Sequence, residues 1–463
     1  MLAVLLALLG GCNPQPVSLQ RLIDQLSTQT AQAQLSLPSE PTQPESGAQA
    51  LAAWALLLAQ EDQKRLAEQI AERAALLFEH VDPVWRGVLE QPAAQLQPVP
   101  DELGFATRIE TQSAAMQVFA IAYWLTGEKR FRTAFAGVDG YLQDWLRGSG
   151  GAFAAGQALQ PPSLRRPFTA ADYWQLRREH DRRQLGLPAV QGSASAQALA
   201  ALGLSYLVAA DAFEDEIYLV EAERLAEASL AAVQSNARTR KNVQQSCRTA
   251  PQQLQLLISL YQRSAIEAWL QQAEDVTAAL IEQWSQQDGC ASLAKTTPET
   301  GLAYVELALA LRSLALINRD IAFAPLLEPL LQAAYLQVEN MTEHQALVLA
   351  RHERALRGGF VAIQVSGQQS DPRTRALLSA AWHAWHPRKV VMPLSNAEAV
   401  TLSLPESPGA VVCNTRRCAP AMTSAPALSA AIAELRKPGA TALAEQVSYF
   451  LGSSLTPREA VDE

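Results

Sequence analysis

Three spacings in this chain could do chemistry: His383 with His386, Asp139 with Asp144, and Cys413 with Cys418. Two histidines at i, i+3 can begin a metal site, but no third ligand stands nearby, so they read as a satisfied or solvent-facing pair. The two aspartates are five apart on a helical stretch and do not share one tight face. Cys413-x4-Cys418 has no histidine beside it at zinc-ligand spacing, so no metal is expected there. No G-x-S-x-G, Walker A or dinucleotide fingerprint occurs, and no cofactor is expected. No Cys-x-x-Cys occurs either, so dithiol redox chemistry is not supported.

The 463 residues are 49% hydrophobic and 18% charged, enough apolar material for a full core. A net charge of −9 argues against general nucleic-acid binding, which needs a basic face. Arg177, Arg178, Arg182 and Arg183 form a local basic run that reads as a solvated helix face. Leu2 to Leu9 is apolar and far shorter than the about 20 residues of a membrane-spanning helix. It reads as the apolar part of an export signal, residues 1–11, although no Lys or Arg precedes it. Leu9-Gly10-Gly11-Cys12 resembles a bacterial lipobox, which implies lipidation of Cys12 and a periplasm-facing protein held on the membrane of the cell envelope. Residues 12–48, rich in Gln, Ser, Thr, Pro and Ala, read as the anchor and a flexible tether. In an exported protein Cys413 and Cys418 are the candidate disulfide. Their spacing across a strand end and a turn allows Cα atoms within about 4.4–6.8 Å.

These groups must be positioned by helices. Apolar residues recur at helical spacing in Leu66, Ile70 and Leu77, and again in Phe131, Phe135, Val138, Leu142 and Trp145. Ala222, Leu225, Ala226, Ser229, Leu230 and Val233 repeat the pattern, as do Ile266, Trp269, Ala273, Val276, Leu280 and Trp284. Short polar turns at 125–131, 211–218, 262–269 and 318–323 separate the stripes. Helical hairpins repeated in this way predict a mainly α barrel over 49–357, a solenoid or a closed α/α toroid. The period changes over 358–424. Gly359–Val365, Lys389–Leu394 and Ala410–Cys413 read as strands and Asp371–His386 as a helix, a small α/β segment. A final helix and tail occupy 425–463.

Several segments together resemble one family, the group of spermatogenesis-associated protein 20 and the bacterial YyaL proteins. Asp82-Pro83-Val84-Trp85-Arg86-Gly87-Val88 looks like the family's Asp-Pro-Val-Trp-Gly-Gly-Val. Gly150-Gly151-Ala152-Phe153, Asp172-Tyr173-Trp174 with Leu185-Gly186-Leu187-Pro188, and Cys413 with Cys418-Ala419-Pro420 resemble its later motifs. The resemblance implies a helical barrel of the six-hairpin glycosidase type. It departs from the family in its acids: Ala106, Ala158, Gln160 and Ala198 stand where the family has acidic residues, and too few residues precede Val81 for the family's thioredoxin domain. Trp85, Phe105 and Gln157 are retained and are candidates to line a cleft. Glu299 is retained too, at a helix start where it also complements the positive helix end.

A sugar-processing barrel needs paired carboxylates, or a carboxylate and a histidine, across a cleft. With the family's acidic positions neutral, the first reading is an exported, lipid-anchored, noncatalytic binding or scaffold protein with no catalytic residue, whose partners are the membrane and a glycan or protein ligand. The alternative is a carbohydrate-active enzyme, of glycosidase or sugar-epimerase type, whose acids have moved. A cleft lined by two or more buried carboxylates with raised pKa would favour the alternative.

Overall fold

The computed structural model describes residues 47–60, 65–96, 105–164, 168–236, 240–285, 298–318, 321–358, 360–395, 398–399, 408–414 and 417–435. The apolar run before Cys12, the tether up to residue 46 and the tail after 435 lie outside them, while Ala48, expected in the tether, is the buried first residue of a helix. The chain is mainly α, built of helical hairpins with a small C-terminal α/β segment, as the periodicity leads one to expect. It divides into two units, one drawn from residues 37–237 and 342–351, the other from 238–341 and 352–463.

In the first unit, helices α1 (Ala48–Leu58), α2 (Leu66–Leu76), α3 (Ile109–Thr126) and α4 (Lys129–Tyr141) are followed by two short helices, α5 (Ala170–Gln175) and α6 (Glu179–Leu185). The long hairpin α7 (Ala196–Phe213) and α8 (Ile217–Asn236) completes the run. Helix α3 packs against α1, α2, α4 and α7. That explains a sequence apolar on nearly every side, since a helix surrounded by neighbours has no solvent stripe. Each hairpin turn is closed by a residue in the left-handed region: Gly127 (φ 71°) after α3 and Glu214 (φ 55°) after α7. Such a residue redirects the chain while its N–H satisfies an orphan helix carbonyl. Gly127 N–H donates to Tyr123 O at 2.7 Å. Helix α7 has the length and hydropathy to cross a membrane, as does α11 (Pro298–Asn318) in the second unit. Yet 72% and 83% of their apolar windows are buried in the protein, the state of core helices.

Three short strands run through this helical unit, where periodicity predicts helix or loop: β1 (Phe105–Arg108), β2 (Gly156–Ala158) and β3 (Val190–Gln191), antiparallel in the order β1-β2-β3. Strands of two to four residues are too short to show a period of two, so pattern alone passes over them.

In the second unit, α9 (Arg240–Ser264) and α10 (Glu267–Ser285) form a hairpin, as do α11 and α12 (Ala324–Tyr335), with α9 beside α11. Ala265 (φ 52°) closes the first turn. The stripe expected from Ile266 begins instead at Trp269, because Ile266 lies in the turn and is 47% exposed. Helix α13 (Glu343–Arg357) contributes its first turns to one unit and its last to the other. Its terminal carbonyls, Ala355 O and Leu356 O, accept from buried Arg312. The small sheet has β4 (Val361–Ser366) at its centre, with β5 (Lys389–Leu394) parallel on one side and β6 (Gly409–Asn414) antiparallel on the other. Helices α14 (Pro372–His383) and α15 (Ala425–Glu434) pack together and their Leu377, Leu428 and Ile432 join Val361, Ile363 and Val365 in one core. On β5, α9 and α11 also make contact. A strand covered on both faces reads as a continuous apolar run, which is why Val361–Val365 was legible.

Candidate functional site

The segment from His80 to Glu90 leaves α2 and returns to the first unit's core, and its residues divide between two environments. Asp82 and Arg182 are fully buried and paired through two hydrogen bonds, Nη1 to Oδ2 at 2.8 Å and Nη2 to Oδ1 at 2.6 Å. Arg182 also donates to the carbonyls of Trp174 and Leu176, and Asp82 Oδ2 accepts from the N–H of Trp85. The guanidinium lies 4.7 Å from the ring of Trp85 and 5.2 Å from that of Trp174. Trp85 packs on Trp145 at 4.4 Å and edge-on to Trp174 at 5.6 Å. The basic run therefore is not one solvated face: Arg177, Arg178 and Arg183 are exposed, while Arg182 is a buried partner of an acid one hundred residues away. Sequence spacing along a short helix could not reveal that partner.

This arrangement settles where the expected cleft residues stand. Trp85 is a wall of the aromatic cluster around the ion pair. Gln157 is fully buried in β2, where its Oε1 accepts from Tyr141 Oη at 3.0 Å. Tyr141 Oη in turn pairs with Thr107 at 2.6 Å. Gly87 faces the Tyr141 ring so closely that a Cβ there would lie 2.7 Å from it. Phe105 opens β1, with the Arg108 guanidinium 5.5 Å from its ring. Ala106, Ala158 and Ala198 are buried in packing and Gln160 is exposed. Glu299 belongs to the second unit, at the exposed start of α11, 3.9 Å from Arg248. Cys413 and Cys418 are joined by a disulfide, with Cα atoms 3.9 Å apart across an antiparallel bridge. His383 ends α14 and shares a hydrogen bond with Ser379, whereas His386 lies beyond the helix, buried, and accepts from the N–H of Arg388. Among the described residues no group of three His, Cys, Asp or Glu is placed to hold a metal.

The second environment begins eight residues after Asp82. A cavity of about 460 Å³ is lined by Gly47, Gln49 and Ala50 of the α1 start, Glu90 and Gln91, and Thr342, Glu343 and His344 of the α13 start. Glu90 is fixed by its main chain: its N–H donates to Ala106 O and its carbonyl accepts from Ala48 N–H, the first residue of α1. Two side chains of α3 hold the same segment. Gln112 makes a two-way amide pair with the main chain of Val88, both bonds 2.7 Å. Thr111 Oγ1 donates to Glu90 Oε1 at 2.5 Å and accepts from Gln49 Nε2 at 2.9 Å.

Burial pushes the Glu90 carboxyl up to about 7, and nearby Glu110 adds to the push; Thr111, the Arg108 charge and the Arg108 main chain oppose it. A carboxyl shielded from water resists ionisation because the charged form loses most on burial. The Glu110 carboxyl is also raised by burial, opposed by its own main chain and by Arg108. Its side chain still reaches solvent, unlike the carboxyl of Glu90. Burial depresses His344, with Arg351 acting in the same sense and the main chain of Gln49 opposing, so the imidazole is neutral near pH 7. The cavity wall thus brings together a carboxyl whose pKa is raised and an imidazole whose pKa is lowered. Sequence analysis passed over Glu90 and His344. The only signal for Glu90 was a lone acid closing the apolar run Val88-Leu89, just after the Asp82–Val88 motif.

No family model and no curated protein matches the chain. Among solved structures it is similar to a D-mannose isomerase, at 11% identity and a TM-score of 0.43, covering 74% of this chain and 99% of that one. It is similar to a glycoside hydrolase family 76 mannosidase from Bacteroides thetaiotaomicron VPI-5482, at 11% identity and a TM-score of 0.42, covering 73% and 97%. A family 76 alpha-mannanase of Bacteroides thetaiotaomicron is similar at 12% identity and a TM-score of 0.42, covering 73% and 94%.

Proposed function

We propose that this protein is a carbohydrate-active enzyme of the acid–base type, with Glu90 as its proton-transfer group and His344 as the second group of the site. The observation that carries this reading is the placement of Glu90, its carboxyl shielded enough to hold a proton near pH 7, in the wall of a cavity that His344 also lines. The cavity, about 460 Å³, is of the size that takes a small organic ligand. Its lining of Gln49, Gln91, Thr342 and Glu343 offers amide, hydroxyl and carboxylate partners for a polyhydroxylated molecule. The acids missing at Ala106, Ala158 and Ala198 are no obstacle to this reading, because the cavity has carboxyls at Glu90 and Glu343 instead.

The test is a panel of glycans and free sugars assayed for hydrolysis and for epimerised or isomerised products. Glu90→Gln is expected to lower turnover by about 10²–10⁴-fold, the usual share of one proton-transfer group. Glu299→Gln serves as the control and leaves turnover unchanged. Binding of a glycan without any product would return the molecule to the noncatalytic reading. We propose in addition that the chain is held at the cell envelope by a lipid on Cys12, a reading that rests on Leu9-Gly10-Gly11-Cys12. Partition of the protein into detergent, lost in Cys12→Ala, is the expected result.

A further inference from the structure

We infer that Thr111, oriented by Gln49, is the positioning residue of the site: its hydroxyl fixes Glu90 Oε1, so that the proton the carboxyl exchanges is carried on Oε2, with the main chain of Arg108 as the carboxyl's further donor. The inference rests on the reading of Glu90 as the proton-transfer group. Its ground is the direction of the hydrogen bonds. The Gln49 amide nitrogen can only donate, and it donates to Thr111 Oγ1 at 2.9 Å. The single proton of the Thr111 hydroxyl therefore has one use in this geometry, and it goes to Glu90 Oε1 at 2.5 Å.

Thr111 is fully buried in the first turn of α3, so no water competes for that proton. Gln49 lies in the first turn of α1 and lines the cavity, so the chain of donors runs from the cavity wall back to the carboxyl. Glu90 Oε1 is thereby held as an acceptor whatever the ionisation of the group. A proton carried by Glu90 then sits on Oε2. The charged and titratable neighbours of the site are Arg108 at the end of β1, Glu110 on α3, and Glu343 with His344 on α13; α1 supplies only the neutral Gln49.

The experiment follows the ionisation of Glu90 itself, by carbon NMR of protein labelled at the glutamate carboxyls, with the signal assigned from Glu90→Gln. In Thr111→Val, which keeps the shape and removes the hydroxyl, the midpoint is expected to move upward by about one pH unit, a tenfold weaker acid. Thr111→Ser restores the original midpoint. Gln49→Ala gives a smaller upward movement, because the hydroxyl is then free to rotate. An unchanged midpoint in Thr111→Val, or equal movement in the Val and Ser variants, overturns the inference. Should Thr111→Val not fold, the Ser and Gln49→Ala variants decide alone: an unchanged midpoint in Gln49→Ala removes the role of Gln49 in orienting Thr111 and overturns the inference as stated. The readout separates this inference from the proposed function. The expected midpoints with no turnover on any sugar sink the function alone, whereas turnover lost in Glu90→Gln with an unmoved midpoint in Thr111→Val sinks the inference alone.

Discussion

Asp82 and Glu90 stand eight residues apart on one segment, and both carboxyls are withdrawn from water. Asp82 meets a guanidinium head-on, through two short bonds, with the remaining donors of Arg182 taken by main-chain carbonyls and its faces covered by Trp85 and Trp174. Glu90 meets a hydroxyl with an amide behind it, the main chain and the charge of Arg108, and a cavity. The first acid is held by a charge of opposite sign through two short hydrogen bonds. The second is stabilised only in part, so its proton is easily gained and lost near neutrality. A buried acid is a structural element when a cation pairs with it head-on, and a candidate for proton exchange when its partners fall short of offsetting its burial.

Breaking the saturated pair should produce the largest effect. Arg182→Met leaves Asp82 buried without its counter-charge, and a loss of about 3–5 kcal/mol in thermal or denaturant unfolding is expected. A loss below about 1 kcal/mol would show that water reaches Asp82 and that the pair is not the lock described here. Trp85→Ala removes the ring that packs on Trp145, Trp174 and Arg182, and is expected to cost about 3–5 kcal/mol. Weakened glycan binding without lost stability would instead make Trp85 a ligand contact.

Glu90 should respond with the opposite sign. Its folded value of about 7 lies above the ordinary 4.5, so ionising it costs stability. Its favourable contribution is complete below pH 4.5 and is lost as pH rises through about 7. Glu90→Gln is therefore expected to be more stable than the parent at pH 8, by up to about 3 kcal/mol, and equal to it at pH 4. Unfolding curves at the two pH values check this, and a variant less stable at pH 8 would mean that the carboxylate is well paired after all. The smallest effect concerns the turn between the two acids. Arg86 has φ 70°, a conformation that costs an L-residue about 1 kcal/mol, and the resembled motif carries glycine there. Arg86→Gly is expected to raise the melting temperature slightly, and a lowered one would assign the Arg86 side chain a contact of its own.

Much of the architecture was legible because it depends on neighbours in sequence. Helical periodicity marked the stripes through Phe131 and Phe135 and through Trp269 and Trp284, and the strands read at Gly359–Val365 and Lys389–Leu394 stood out as apolar runs, the first observed at Val361–Ser366. Only the tertiary structure decided which acids matter. Asp82 finds Arg182 one hundred residues on, and Glu90 finds Thr111, itself held by Gln49 of another helix, in a cavity that His344 of a third helix also lines. The pKa of a carboxyl is set by water, charge and donors within a few ångströms, and those arrive from parts of the chain that no local pattern connects.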